Sequence, residues 1–421
     1  MDARPHCLTI AISVSVPVSG MNVNDLEARW MAAARQGFAA SFREVQRAFQ
    51  AAHRDRLERR EWRARHVQTR LGAVRVEILK VRNREMGASR MLGMDLFDLV
   101  PRQRTTAWVE RRGVELRVRG LSYRQAVASL SETLGTRHSA MWLWRRVQAR
   151  GKQRMAQERA AFAACSKRPK NEADPPEHLY LEADEIHVKA QRSAGTTHRV
   201  KVGLSYTGRE RVAGYRRPRY RLAEKGLYGG IETFDSFGRH WYAHLECRHR
   251  ISDAPAVLYL TDGDPGLVGL SETHFPQAIR HHDWAHVFRD LWRAAPDETR
   301  RARWIGQLCE GRDDLVRRNM ARHRHARGAS AEAIDKVLRA LDGGDFYGAR
   351  RYRKRHDRER TQRIPRATGG IEKNQEITIG RAMKKRGMAW TARGANHLAK
   401  LVIAWQNNTT WNSLWKEPFP P

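Results

Sequence analysis

The run L-Y-L-E-A-D-E-I-H-V-K, residues 179–189, constrains the fold more than any other stretch. Its apolar residues read as a strand, yet it carries Glu182, Asp184 and Glu185. Side chains alternate faces along a strand, so Glu182 and Asp184 share one face and Glu185 points away. A second strand-like run, A-V-L-Y-L-T-D, closes on Asp262. A third carboxylate, Glu372, opens a helix-like run in T-G-G-I-E-K-N. Strand ends are rigid and converge, so a parallel or mixed sheet in an α/β fold delivers such acids to one place.

These acids stand in a strongly basic chain. Lys plus Arg number 79 against 46 acids, giving +33 formal charge over 421 residues. Polyanions are the default partners of such a chain. An Arg-rich or ribosomal protein would share the charge, but not acids placed at strand ends. Placed acids within a basic protein point to a divalent metal acting on a phosphodiester. Two ions about 4 Å apart can activate the attacking oxygen and stabilise the leaving one. Mg²⁺ (or Mn²⁺) takes hard oxygen ligands and few of them from protein. Asp184, Asp262 and Glu372 are therefore the expected catalytic residues and metal ligands, with Glu182 as a supporting acid. Asp264 reads as a local hydrogen-bonder of its turn. Glu376, one helical turn past Glu372, shares that residue's helix face.

Other chemistries fit less well. Cys7, Cys165, Cys247 and Cys309 are widely spaced and form no C-x-x-C, which argues against a disulfide scaffold or a zinc ribbon. In H-H-D-W-A-H, Asp283 and His286 are spaced for one helix face. Without a cysteine pair nearby, packing or hydrogen bonding is the favoured role over zinc. His323 and His325 lie in an Arg-rich helix and read as surface residues. No run reaches the roughly 18 apolar residues of a membrane span. Residues 1–20 pass for a weak signal peptide or a mis-called start ahead of Met21.

Along the chain, residues 21–104 are expected to hold helices from Asn24 to about Arg65 and a hairpin over 66–81. Residues 105–150 read as two helices around a Gly-containing turn. Ser122 caps the first, Gly135 ends it and Ser139 caps the second. An ordinary helical hairpin and a DNA-binding helix-turn-helix both fit; the latter would use Arg145 and Arg146. A charged linker follows over 151–176. The catalytic core is expected to start over 177–290, with strands at 179–190, 198–207, 241–247 and 256–262. Helices over 291–346 form an insertion. Residues 347–405 complete the core through a basic segment, including Arg353, Lys354 and Arg355, that leads into the Glu372 helix. Residues 406–421 form a tail.

In order, the chain shows R-H-V-Q-T-R-L-G-A-V-R-V, V-P-R-Q-R-T-T, G-L-S-Y-R-Q-A-V and L-Y-L-E-A-D-E-I-H-V-K. Then come L-T-D-G-D-P-G-L, H-H-D-W-A-H-V, and G-G-I-E-K-N with R-A-M-K-K-R-G-M-A-W-T-A-R-G. In their order and spacing these resemble bacterial insertion-sequence DDE transposases of the ISLre type, relatives of the Mutator-like transposases. The resemblance spans most of residues 24–405. It implies an RNase H-like core with a helical insertion between the second Asp and the Glu, and Mg²⁺-dependent strand cleavage and transfer. Its triad falls on Asp184, Asp262 and Glu372, and its D-x-x-H on Asp283 and His286. Mutator-like relatives often have Cys where Asp283 stands.

The expectation is thus a transposase that binds double-stranded DNA at the element's terminal inverted repeats and in the target. It would work as a homo-oligomer, without a membrane, in the cytoplasm at the nucleoid. A non-catalytic DNA-binding protein, decayed or domesticated, is the rival class. A metal-dependent nuclease shares the chemistry but not the joining step.

Overall fold

The computed structural model describes residues 22–97, 99, 104–165, 174–192, 195–216, 219–261, 264–282, 284–295, 297–310, 312–325, 330–342, 370–385 and 387–415. The side chains of 165, 281–288, 309, 340, 342 and 409 also fall outside the description. The expectation for residues 1–20 lies outside the described residues. Two compact units form, Met1–Val147 with Asn412–Pro421, and Gln148–Trp411.

The first unit opens with helix α1 (Val23–Ala52), then strands β1 (Leu57–Thr69), β2 (Gly72–Asn83) and β3 (Ser89–Met91), and the short helix α2 (Leu92–Leu96). The helical expectation as far as Arg65 is corrected here, because residues 57–65 pair antiparallel with β2. Their Arg and Glu residues favour helix locally, but strand pairing overrides propensity. The hairpin is correspondingly longer than 66–81. Helix α1 lies on β2 through Phe42, packed with Val67, Val74, Val76 and Ile78. Buried Gln46 sews the two together. Its amide donates to the Glu77 carbonyl at 2.8 Å and its oxygen accepts from Leu79 N–H at 2.8 Å.

Helices α3 (Ala107–Val118), α4 (Tyr123–Leu134) and α5 (Ala140–Cys165) follow. Ser122 and Gln125 form a reciprocal capping box on α4, which Gly135 ends in the left-handed conformation. The Ser139 hydroxyl accepts from Trp142 N–H at 3.0 Å, as a cap should. Helix α5 does not stop near 150. The segment expected as a linker is helical to Cys165, because its Lys, Arg, Gln, Glu and Ala are all good helix formers.

The second unit holds a five-stranded sheet. Its elements are β4 (Leu179–Lys189), β5 (Thr197–Tyr206), β6 (Gly208–Val212), β7 (Arg219–Ala223), β8 (Gly226–Gly230), α6 (Phe234–His249), β9 (Val257–Thr261), α7 (Pro265–His274) and β10 (Ile279–His282). The strand order is β10-β9-β4-β5-β8. Strands β5 and β8 run antiparallel in sequence from β4, while β9 lies parallel to β4 and β10 parallel to β9. Strands β6 and β7 form a separate two-stranded ribbon. The core joins Leu179, Leu181 and Ala183 to Trp241, Tyr259, Leu267 and Phe275.

The strand expected over 241–247 is instead part of helix α6. Trp241, Ala243 and Leu245 mimic alternation. The buried residues Phe237, Trp241, Leu245 and His249 recur every four, and Thr233 caps the helix. Helices α8 (Trp284–Ala294), α9 (Glu298–Glu310), α10 (Asp313–His323) and α11 (Ala331–Asp342) carry a core of their own around Trp304, Met320 and Val337. Helix α12 (Gly370–Gln375) passes into π-helix over Glu376–Lys384, and α13 (Ala392–Gln406) and α14 (Thr409–Ser413) close the chain. Among the described residues no helix is long and apolar enough to cross a membrane.

Candidate active site

Strand β4 places Glu182 at the centre of the sheet, where the side chain is almost wholly buried. Burying a carboxylate is costly unless hydrogen bonds replace its water. Two are in place. The Tyr206 hydroxyl donates to Oε1 at 2.8 Å, and the backbone N–H of Ile371 donates to Oε2 at 2.7 Å. Burial first, and then the Glu182 charge, push the Tyr206 hydroxyl far above the usual phenol range, so it stays a donor. Tyr206 in turn stacks on Tyr180 with centroids 5.1 Å apart.

The bond to Ile371 matters most. It fixes the start of α12 against β4 at a sequence separation of 189 residues. A charged acceptor on a backbone donor makes the stronger kind of hydrogen bond. Close approach requires Gly370, where a Cβ would stand 3.0 Å from Glu182 Oε1 and 3.2 Å from Leu204. Glu372 follows at once, in the first turn of α12, with its side chain exposed. The chain returns to β4 further on. Trp390 N–H donates to the Lys189 carbonyl at 2.9 Å, and Gln191 N–H donates to the Trp390 carbonyl at 2.7 Å.

Asp184 lies two residues along β4 from Glu182 and is half-buried; its Oδ1 accepts from Glu185 N–H at 2.7 Å. Glu185 turns to another set of partners, Lys201 at 3.0 Å and Arg199 at 3.4 Å. Strand β9 runs beside β4 with Leu260 opposite Glu182 and ends at Thr261. Asp262 itself lies outside the described residues. Asp264 does cap its turn, accepting from Gly266 N–H at 2.8 Å and Leu267 N–H at 3.4 Å. Glu376 pairs with Lys385 at 2.7 Å.

His281 and His282 belong to β10, and α8 starts only at Trp284. Asp283 and the side chain of His286 lie outside the description, as do Arg353, Lys354 and Arg355. Arg145 is exposed on α5 and Arg146 half-buried. The structure thus brings Glu182, Asp184 and the Glu372 helix to one strand. The described donors there are carboxylate oxygens, the hard ligands that suit Mg²⁺ or Mn²⁺. Among the described residues no group of three ligating side chains gathers.

Sequence reasoning missed Tyr206 and a second buried network in the same unit. Lys400 bridges Glu158 at 2.7 Å and Glu232 at 3.0 Å. Burial alone would raise the Glu232 carboxyl, but Lys400, His240 and Tyr228 together hold it at about 2. Only the tertiary pairing of α5, β8 and α13 assembles these residues, so no local motif announces them.

The model of the uncharacterised protein family UPF0236 matches residues 18–417. The chain belongs to that family. No curated protein matches it. Among solved structures, a chain of the Drosophila P element transposase strand transfer complex is similar at 10% identity and a TM-score of 0.24, over 75% of this chain and 81% of that one. A score that low carries no weight for function.

Proposed function

We propose that this UPF0236 member is a DNA strand-transfer enzyme, a DDE transposase of an insertion sequence, working on Mg²⁺ or Mn²⁺ held by Asp184, Asp262 and Glu372. The observation that carries the reading is the Glu182–Ile371 hydrogen bond, which seats the Glu372 helix on the strand that bears Asp184. The mixed five-stranded sheet flanked by helices is compatible with an RNase H-like core, and the charge of +33 suits a polyanionic substrate. The partners are double-stranded DNA at the element's terminal inverted repeats and at the target, with the protein a homo-oligomer at the nucleoid.

When bound, divalent metal would activate the attacking oxygen and stabilise the leaving one. The chain's own residues set the stage. Glu182 is a positioning residue. It spends its two oxygens on Tyr206 and Ile371 and so orients the first turn of α12. Glu185, on the other face of β4, pairs with Lys201 and Arg199, and Asp184 shares the Glu182 face. Arginines hold the DNA backbone, which positions a duplex without reading its bases.

The test is an in vitro reaction with the full chain, Mg²⁺ and duplexes that carry the element's own ends. Nicked ends and joined products are expected. Binding with no cleavage in either metal would leave a DNA-binding protein, and cleavage with no joining would leave a nuclease.

A further inference from the structure

The β6–β7 ribbon is not part of the five-stranded sheet and is exposed along most of its length. Its described residues carry Arg209, Arg211, Arg216, Arg219 and Arg221 against Glu210, which pairs with Arg221 at 2.8 Å. Two large aromatic side chains stand among them in solvent, Tyr220 at 61% exposure and Tyr215 at 47%. Register puts Tyr220 opposite Arg211, and alternation gives that pair and Arg209 the same face. The Arg219 guanidinium sits 4.2 Å from the centre of the Tyr215 ring.

A charged ribbon can serve only to keep strand edges from pairing with other chains. Arginine would suffice for that, and two exposed tyrosines would work against it. Exposed aromatic rings interleaved with arginine are instead the equipment of proteins that hold unpaired nucleic acid, with the bases stacked on rings and the phosphates on guanidinium groups. The connection from the ribbon to β8 touches the helix that carries Glu372. There Lys225 donates to the Asn374 side chain at 3.2 Å.

We propose that the β6–β7 ribbon is a DNA-holding arm, with Tyr220 and Tyr215 stacking on unpaired bases next to the reacting strand and Arg209, Arg211 and Arg219 holding its phosphates. This rests on the strand-transfer reading above. A duplex buries the faces of its bases, so the tyrosines discriminate for opened or cleaved ends.

The experiment compares the full chain on two DNA probes of one sequence, a perfect duplex and the same duplex with a short unpaired stretch. The Tyr215→Ala/Tyr220→Ala variant should lose about tenfold in affinity per tyrosine on the opened probe and almost nothing on the duplex. The Tyr215→Phe/Tyr220→Phe variant should keep the wild-type preference, which separates stacking from a folding defect. Changing Arg209, Arg211 and Arg219 to Gln should weaken both probes and flatten the dependence on salt. Wild-type affinity for the opened probe in the alanine variant, or equal losses on both probes, would overturn the arm alone. Failure of the wild type to bind either probe would overturn the strand-transfer reading and the arm with it.

Discussion

Strand β4 and the β6–β7 ribbon belong to one unit and treat charge in opposite ways. On β4 the acids sit in or beside the core. Two of them are held by partners on neighbouring elements: Glu182 by Tyr206 and Ile371, Glu185 by Lys201 and Arg199. On the ribbon the arginines face solvent, and the Arg221–Glu210 pair lies at the surface. An ion pair in water contributes little to stability, whereas a buried carboxylate without hydrogen bonds carries its full desolvation penalty. The acids therefore fix geometry and the arginines do not. Chemistry should depend on β4, and affinity on the arginines.

Substitution at the triad should separate the two most sharply. Asp184→Asn, Asp262→Asn and Glu372→Gln each keep shape and remove a charge proposed to bind the metal. Cleavage should fall by about a thousandfold or more, roughly 4 kcal/mol of transition-state stabilisation, with DNA affinity nearly unchanged. A gel assay of Mg²⁺-dependent cleavage reads this, and full activity in any one variant removes that residue from the site.

Glu182→Ala comes next. It orphans the Ile371 N–H and the Tyr206 hydroxyl, each at about 1–3 kcal/mol. The Ile371 amide should exchange hydrogen faster, and half-maximal cleavage should need more Mg²⁺. Glu182→Gln keeps an acceptor and should restore both. If the metal requirement is the same in the Ala variant, Glu182 serves folding only.

Acid should loosen the sheet where the ribbon leaves it. His249 lies there, its Nε2 3.2 Å from the Ser205 hydroxyl. Burial, aided by Arg248, holds its pKa down at about 4. Burial likewise holds His244 at about 3. The unfolded histidines take up protons near 6.5, so between about 6.5 and 4 the unfolded state binds more protons and stability falls as pH falls. For His249 this amounts to at most ~3 kcal/mol. Thermal melts from pH 7 to 4.5 should show it, and a His249→Gln variant that melts with the same pH slope would assign the effect elsewhere. The smallest effect is expected from Arg353→Gln, Lys354→Gln and Arg355→Gln together. Affinity should drop by about tenfold or less, equally for all sequences, with a shallower salt slope. Wild-type binding at moderate salt would make that segment a solvated loop.

The parts of the fold that could be read in the sequence are those whose local signal agrees with their tertiary role. Strands β4, β5 and β9 are apolar runs that are buried where they pair. Helix α4 carries both of its caps in sequence. The misreadings arise where tertiary contacts decide. β1 is a strand because β2 pairs with it. Helix α6 shows both periods, and the core selects the four-residue one. Strand β8, G-L-Y-G-G, has poor strand propensity. A Cβ at Gly229 would strike the Lys201 carbonyl and Ile403, so close packing sets its composition. At the candidate site, Asp184 and Glu372 are singled out by motif alone, and their proposed role rests on the predictions above. No motif marks Tyr206, because what makes it matter is a partner 24 residues away in sequence.

The segment that carries Glu372 is tied to β4 twice, at Glu182–Ile371 and again at Lys189–Trp390. Both anchors lie beyond the α8–α11 insertion, which has its own core. Glu372 therefore takes its position from β4 rather than from the length of chain that precedes it. A change in the length of the α8–α11 segment should leave the start of α12 in place against β4.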